Sequence, residues 1–456
     1  MSVTPRIGGK HIAQHSRPIA ALAGTACLLL AAGGCADDPL RPSVPASEPP
    51  RASLVLRPDG LSCTEPDARL GSGAPFQVCV LAGNWNGDVV VFIPGYHDPA
   101  RAPSLPDVFG ETPAVTLFSQ LGYAFATTGF RGTGLIDPDT WIGGDLLELV
   151  NSAKTLLTNT TGRTTRFVYQ TGGSQGGLGT VMAVERYPGT FHGGLAACGP
   201  IGDYRRQIQY VGDFRVTFDY LFAPVSSGWP VWKQDLAAGD PGYVDPATWA
   251  TAQPLAEAAI NDPANADRVQ QLLQVTRAPI DAADPRTIRG TTVGVLWYSF
   301  RGSNDAIGKL SGSPFDNRTR VYAGSSNDAA LNAGVQRFAF TADPAKVAKL
   351  QTSARLFRPL VTMHTSGDPI VPVWHQSVYR GRLGFFSRLF HTPWTIQRYG
   401  HCNFTDTEIL AGFSLLVLKV SGVDLLVTSR VLPGPEAQAE FLRMSRDLGA
   451  HPIVVR

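Results

Sequence analysis

Neither sign of charge prevails in this sequence: 39 lysines and arginines stand against 37 aspartates and glutamates over 456 residues, a formal net charge of +2. No long basic block interrupts the mixture, so the electrostatic footprint of a nucleic-acid binder is missing. Charged residues are few, 17% against 43% hydrophobic, which excludes general disorder and leaves ample apolar surface for a large core. There is no His-Glu-x-x-His, no paired Cys-x-x-Cys and no Walker-type Gly-Lys-Ser/Thr, so neither a metal site nor a nucleotide site is indicated, and no cofactor is expected. No internal repeat is evident.

What is present begins at the N-terminus. Arg6, Lys10 and Arg17 precede an apolar run from Ile19 to Ala32, too short to span a bilayer comfortably, and small residues then lead into Cys35. This reads as an export signal over residues 1–35. Ala32-Gly33-Gly34-Cys35 resembles a bacterial lipoprotein processing box, which would lipidate Cys35 and anchor the chain at a periplasmic or outer cell surface. An ordinary signal peptide, cut after a small residue, would release the chain instead. Residues 36–52 are rich in proline and small polar residues and read as a tether. Of six cysteines, Cys63, Cys79, Cys198 and Cys402 remain after the signal, an even number suited to an oxidising compartment. Four cysteines allow three connectivities. Cys63 and Cys79 flank a short Gly/Pro-containing segment that could close locally, which would leave Cys198 for Cys402.

From about Ser53, short apolar runs alternate with helical periodicities. The runs Asp88–Ile93, Tyr123–Thr128, Arg166–Gln170, Gly194–Ala197, Phe357–His364 and Trp394–Tyr399 read as parallel strands covered on both faces, the first entered through a hairpin turn at Asn86-Gly87. Apolar residues spaced by three and four predict helices over Pro113–Leu121, Leu146–Leu157, Gly177–Arg186 and Thr405–Leu418. The class is α/β, a doubly wound, mostly parallel sheet built from 53–200 and 351–456, with 201–350 inserted as a cap. The cap residues Phe218, Tyr220, Phe222, Trp229 and Trp232 either wall an acyl site or form the cap's own core.

Between a strand and a helix lies Gly172-Gly-Ser174-Gln-Gly176. A serine on so tight a turn needs neighbours without bulky side chains, and the following helix N-terminus offers donors to a negative charge. A serine hydroxyl needs a base, and the base an orienting acid. Candidates follow in order: Asp368 in Ser-Gly-Asp368-Pro-Ile-Val-Pro and His401 in Tyr-Gly-His401-Cys, each just past the end of a predicted strand. All three thus share one edge of the sheet, where such folds keep their ligands. His364, His375, Asp305 and Asp406 are weaker rivals by context. The oxyanion donors are expected to be the backbone N–H groups of Gln175, after the nucleophile, and of Tyr96, in Pro94-Gly-Tyr96-His97 after a strand.

These motifs resemble the nucleophile elbow, acid loop and histidine loop of the α/β-hydrolase superfamily, nearest in flavour to its dienelactone-hydrolase-like and prolyl-oligopeptidase-like members. That resemblance implies acyl transfer through a serine-bound intermediate. Cys402 directly after His401, with Cys198 at the end of the strand beyond the nucleophile helix as its natural partner, gives a partial resemblance to the tannase and feruloyl esterase group. The bridge of that group uses a cysteine just before the nucleophile, where Gly173 stands here. The expected activity is a carboxylic ester hydrolase acting outside the cytoplasm on a small or polymeric apolar or aromatic ester, such as a polyester or a feruloyl- or tannase-type ester. A prolyl-oligopeptidase-like serine peptidase and a catalytically silent ligand-binding lipoprotein are the alternatives. The only membrane contact expected is the N-terminal lipid, and nothing in the sequence fixes an oligomeric state.

Overall fold

The computed structural model describes residues 53–105, 111–232, 248–428, 431–432 and 434–455. The export segment with Cys35 and the tether lie outside the described residues. By internal contacts the chain divides into units Met1–Ser47 and Glu48–Arg456, and the second holds every described strand, helix and disulfide.

The sheet is built from β1 (Val55–Leu56), β2 (Ser62–Cys63), β3 (Phe76–Val80), β4 (Val89–Ile93), β5 (Ala124–Thr128), β6 (Val168–Gly173), β7 (Gly193–Ala197), β8 (Leu360–Gly367) and β9 (His391–Tyr399). Its spatial order is β1-β2-β3-β5-β4-β6-β7-β8-β9. Neighbours from β5 to β9 run parallel, while β1–β2, β2–β3 and β3–β5 are antiparallel. The Asn86-Gly87 turn exists, with φ 98° at Gly87, but makes no hairpin. Val-Val-Val-Phe-Ile of β4 is at most 3% exposed on either face, and such a run belongs between two parallel neighbours, so β3 pairs with β5 instead.

Helices α1 (Ala114–Gln120), α2 (Leu146–Thr161) and α3 (Gln175–Arg186) alternate with the strands. The pleat of β4 divides the core: Val89, Val91 and Ile93 pack with apolar residues of α2 and α3, Val90 and Phe92 with those of α1 on the other face. Between β7 and β8 the chain leaves the sheet for α4 (Tyr204–Phe222), α5 (Trp249–Asn261), α6 (Ala266–Thr276), α7 (Arg286–Tyr298), α8 (Asn304–Lys309), α9 (Asp328–Gly334) and α10 (Pro344–Lys349). Phe218, Phe222 and Trp229 pack into this layer's own core, and Trp232 into a second small cluster; Tyr220 flanks both. Their bulk goes into holding α4 to α6 and α7 together, so none of them walls the cavity at Ser174.

After β8 come α11 (Trp374–Arg382), α12 (Phe385–Phe390), α13 (Asp406–Ser421) and α14 (Pro435–Asp447), with a small parallel pair, β10 (Leu426–Thr428) and β11 (Ile453–Val455). Thr405 and Glu408 form a capping box that starts α13, and Gly422 at φ 71° ends it. The small residues of β7 let α13 and α3 close on the sheet: a Cβ on Gly193 would stand 2.7 Å from Val420 Cγ2, and one on Gly194 2.8 Å from Val184 Cγ2. Among the described residues, no helix is long and apolar enough to cross a membrane.

Candidate active site

The turn from β6 to α3 places Ser174 at φ 57°, ψ −125°, in the left-handed half of backbone space that side chains disfavour. The flanking glycines are a steric requirement. A Cβ on Gly172 would lie 2.6 Å from Ile93 O, and one on Gly176 only 2.2 Å from the same oxygen. The Ser174 amide donates to Ala197 O at 2.9 Å, tying the elbow to the end of β7.

Asp368 lies one residue past β8 and is fully buried. Its Oδ1 accepts from Ile370 N and Val371 N, both at 2.9 Å, which fixes the carboxylate plane. His401 follows Gly400, whose φ of 114° turns the chain after β9. The imidazole Nδ1–H donates to Asp368 Oδ2 at 2.7 Å, and Nε2 accepts from Ser174 Oγ at 2.8 Å. Serine, histidine and aspartate are therefore in line, with the imidazole 18% exposed and the acid sealed from water. Such an arrangement can take a proton from the hydroxyl while the acid holds the tautomer.

The rival histidines have other employment. His364 donates from Nε2 to Val371 O at 2.6 Å, and burial lowers its pKa. His375 accepts Gly202 N–H at Nδ1 (3.0 Å) and faces Gln207 Oε1 at 2.9 Å through Nε2; burial holds it well below the ordinary range. Asp406 accepts from Glu111 N at 2.9 Å and Thr112 N at 3.1 Å, pinning that loop to α13.

Gln175 opens α3, whose first N–H groups have no acceptor within the helix. Its side chain is held aside, accepting from Ile136 N and donating to Gly134 O, each at 2.9 Å. Gly95 abuts the elbow: a Cβ on it would stand 3.6 Å from Ser174 Cβ, so the Pro94–Tyr96 backbone passes beside Ser174. The Tyr96 side chain turns to the cap, donating to Asp305 Oδ2 at 3.3 Å and packing against Trp297 and Tyr298, with ring centroids 6.0 and 5.8 Å away. Asp305, 7% exposed at its side chain, also accepts from Leu135 N and pairs with Lys309 at 3.4 Å, so it latches the cap to the core.

The sequence reading missed Tyr298. This last residue of α7 lines the same chamber as Ser174, and burial pushes the pKa of its hydroxyl up to about 12. No motif marks it, because it arrives on a cap helix. Tyr298 and Ile370 also divide the space at the triad in two. On the Ser174 side is a chamber of about 90 Å³ walled by Leu135, Leu178, Ile208, Val211 and Val371. On the His401 side is a more open cleft of about 360 Å³ bordered by Trp297, Pro369 and Tyr399. A larger cavity of about 970 Å³, on the other face of α4, touches none of the three triad residues.

Both disulfides pair as read from the sequence, Cys63 with Cys79 and Cys198 with Cys402, at Cα separations of 4.1 and 5.4 Å. The first joins β2 to β3. The second links the end of β7 to the histidine loop, with Cys402 Sγ 3.6 Å from His401 Nε2 and Cys198 Sγ 3.4 Å from Ser174 N.

No family model and no curated protein matches this sequence. Among solved structures it is similar to feruloyl esterase B from Aspergillus oryzae, at 13% identity and a TM-score of 0.39 over 77% of this chain and 78% of that one. It is also similar to a rice cell wall degrading esterase from Xanthomonas oryzae, at 12% identity and a TM-score of 0.37 over 81% and 88%. Against the acylaminoacyl peptidase of Pyrococcus horikoshii the figures are 12% identity and a TM-score of 0.35 over 79% of this chain and 42% of that one. The sheet order, the strained serine between β6 and α3, and the acid and histidine following it at the same sheet edge give the chain the α/β-hydrolase fold.

Proposed function

We propose that the chain is an exported carboxylic ester hydrolase working through Ser174, His401 and Asp368 by way of an acyl-enzyme. The observation that carries this reading is the pair of short hydrogen bonds, 2.8 and 2.7 Å, running from Ser174 through His401 to a buried Asp368 beside an apolar chamber. Ser174 Oγ attacks the ester carbonyl as its proton passes to His401 Nε2. Negative charge grows on the carbonyl oxygen beside the α3 N-terminus, where Gln175 N–H, the Tyr96 backbone N–H and the Tyr298 hydroxyl are the available donors. His401 then protonates the departing alcohol, and a water retraces the path to release the acid.

Because the leaving alcohol must reach His401, the acyl group occupies the Ser174 side. A chamber of about 90 Å³ is well below the roughly 300 Å³ of an ordinary ligand pocket, so the acyl group is short and apolar. The larger portion of the substrate, the alcohol, lies in the cleft beside Trp297 and Tyr399, where aromatic contact is available. Export is supported by the N-terminal run and by two disulfides, which suit an oxidising compartment.

The test pairs p-nitrophenyl esters of increasing acyl length with aminoacyl and prolyl amides and a fluorophosphonate probe. Short esters should turn over fastest, and Ser174→Ala should abolish both turnover and labelling. Labelling that survives Ser174→Ala rejects the nucleophile, amide turnover above ester turnover makes the protein a peptidase, and neither turnover nor labelling makes it a binding protein.

A further inference from the structure

Charge is balanced over the chain but not along it. From Gln351 to Gly400 the sequence carries Arg355, Arg358, Arg380, Arg382, Arg388 and Arg398, and its one acid, Asp368, is buried against His401. Arg398 is paired with Glu408. The other five have no carboxylate partner among the described residues: Arg358, Arg380, Arg382 and Arg388 reach backbone carbonyls, which leave the positive charge uncompensated. In their midst stands α12, Phe-Phe-Ser-Arg-Leu-Phe, with Phe385 77%, Phe386 76% and Leu389 69% exposed. Ser387 Oγ hydrogen-bonds both Leu356 N (3.1 Å) and Leu356 O (3.4 Å), which brings Phe357, 64% exposed, to the same surface. Buried Leu383 and half-buried Phe390 pack on the main core and hold the helix in place, so the outward residues are displayed rather than frayed.

We propose that this surface docks the protein onto an anionic lipid bilayer, the four apolar side chains entering the interface and Arg355, Arg382 and Arg388 meeting the headgroups. Aromatic and leucine side chains ringed by uncompensated cations are what an interfacial anchor requires. A second copy is the poorer occupant, because a two-fold contact would set one ring of arginines against another. The surface adjoins the start of β9 and His401 follows its end, so the two lie at opposite ends of a nine-residue strand, roughly 30 Å apart. The docked protein therefore opens its cleft away from the bilayer, toward substrates arriving through water. That orientation rests on Ser174 and His401 being the reactive centre; the docking does not.

The unit Glu48–Arg456 is sedimented with phosphatidylcholine vesicles, with and without phosphatidylglycerol. It should pellet with the anionic vesicles at low salt and be released at high salt. Phe385→Ser and Phe386→Ser should each weaken the partition roughly tenfold, and Arg355→Gln and Arg388→Gln about fivefold each, with turnover of a soluble ester unchanged. The proposal is overturned by wild-type protein that ignores anionic vesicles, by variants that pellet equally well, or by a wild-type dimer that Phe385→Ser converts to monomer. Because binding is read without turnover, an inactive protein that still pellets counts against the hydrolase reading alone.

Discussion

Replacing Asp368 with asparagine keeps the shape of the side chain and changes its hydrogen-bonding sense, and the surroundings decide how the amide must sit. Ile370 N and Val371 N both donate to Oδ1, so an NH₂ group there would face two donors. The carbonyl stays with them and the NH₂ points at His401 Nδ1, 2.7 Å away in the wild type. The imidazole must then accept at Nδ1 and carry its proton on Nε2, where it cannot take the Ser174 proton. We expect kcat for a short ester to fall about ten-thousandfold, as when a triad tautomer is inverted, or about 5 kcal/mol of barrier. Fluorophosphonate labelling should slow in parallel. KM and the thermal midpoint should change little, since both backbone donors remain satisfied. Asp368→Ala, which strands them, should also lose stability. A folded Asp368→Asn variant retaining more than a tenth of wild-type kcat would refute the tautomer argument, and the triad with it.

In the proposed reaction the Tyr298 hydroxyl donates to the oxyanion, so Tyr298→Phe should lower kcat roughly 10- to 100-fold, the range for a hydrogen bond to a charged group, with KM nearly constant; activity within twofold of wild type would take Tyr298 out of the chemistry. Replacing Cys198 and Cys402 together with serine opens a link of sequence separation 204 and should cost about 2–5 kcal/mol in chemical denaturation; an unchanged midpoint would show that packing alone holds the histidine loop. Stability should fall as pH drops below about 6.5. The folded pKa of His375 is depressed, so the unfolded chain binds the proton first, and the contribution present above the unfolded pKa is lost on acidification, at up to about 1.4 kcal/mol per pH unit. His364 and His391 shift in the same direction, His391 to about 3, while Glu185, Asp213 and Asp305, raised by burial, act in the opposite sense. The discriminating measurement is therefore His375→Gln, whose denaturation midpoint should vary less steeply between pH 5 and 7; an identical slope would remove His375 as the source.

Much of the sheet was legible because its rules are local. Val89–Ile93 is apolar on both faces and can be little other than a central strand, and the glycines at 172 and 176 announce a turn no larger residue would fit. The helix α3 was read from Gly177 but begins at Gln175, since a glycine-rich first turn shows no apolar period. Phe357 was read into β8, yet Pro359 intervenes and the strand starts at Leu360. The two-residue strands β1 and β2 are below any periodicity. Tyr298 and Asp305 reach the site only through the packing of cap on core, which depends on contacts between distant residues. The cap aromatics leave both readings open for the same reason: nothing in Phe218 or Trp229 distinguishes a residue that lines a cavity from one that fills a core.

Three corners around Ser174 and His401 combine backbone strain with specific supports. Ser174, Cys198 and Cys402 all have positive φ, 57°, 45° and 50°, a conformation costing on the order of 1–3 kcal/mol at each. Each corner ends a segment that aims one part of the hydrogen-bonded chain: β6 Ser174, β7 the anchor of the disulfide, the turn after β9 His401. The supports are specific. Ser174 N bonds Ala197 O, Cys198 N bonds Met363 O at 2.8 Å, and Phe404 N bonds Cys402 O at 2.9 Å. The Cys198–Cys402 link then joins the nucleophile's side of the sheet to the base's side covalently. Ser174 sits in an elbow packed so closely that a Cβ at 172 or 176 would clash, whereas the histidine loop is tied to β8 through Gly400 N to Gly367 O (3.2 Å) and Thr365 Oγ1 to Gly400 O, and to β7 through the bridge. Opening that bridge should therefore move His401 before it moves Ser174, and the loss should appear in the 2.8 Å contact that begins the reaction rather than in the chamber that receives the acyl group.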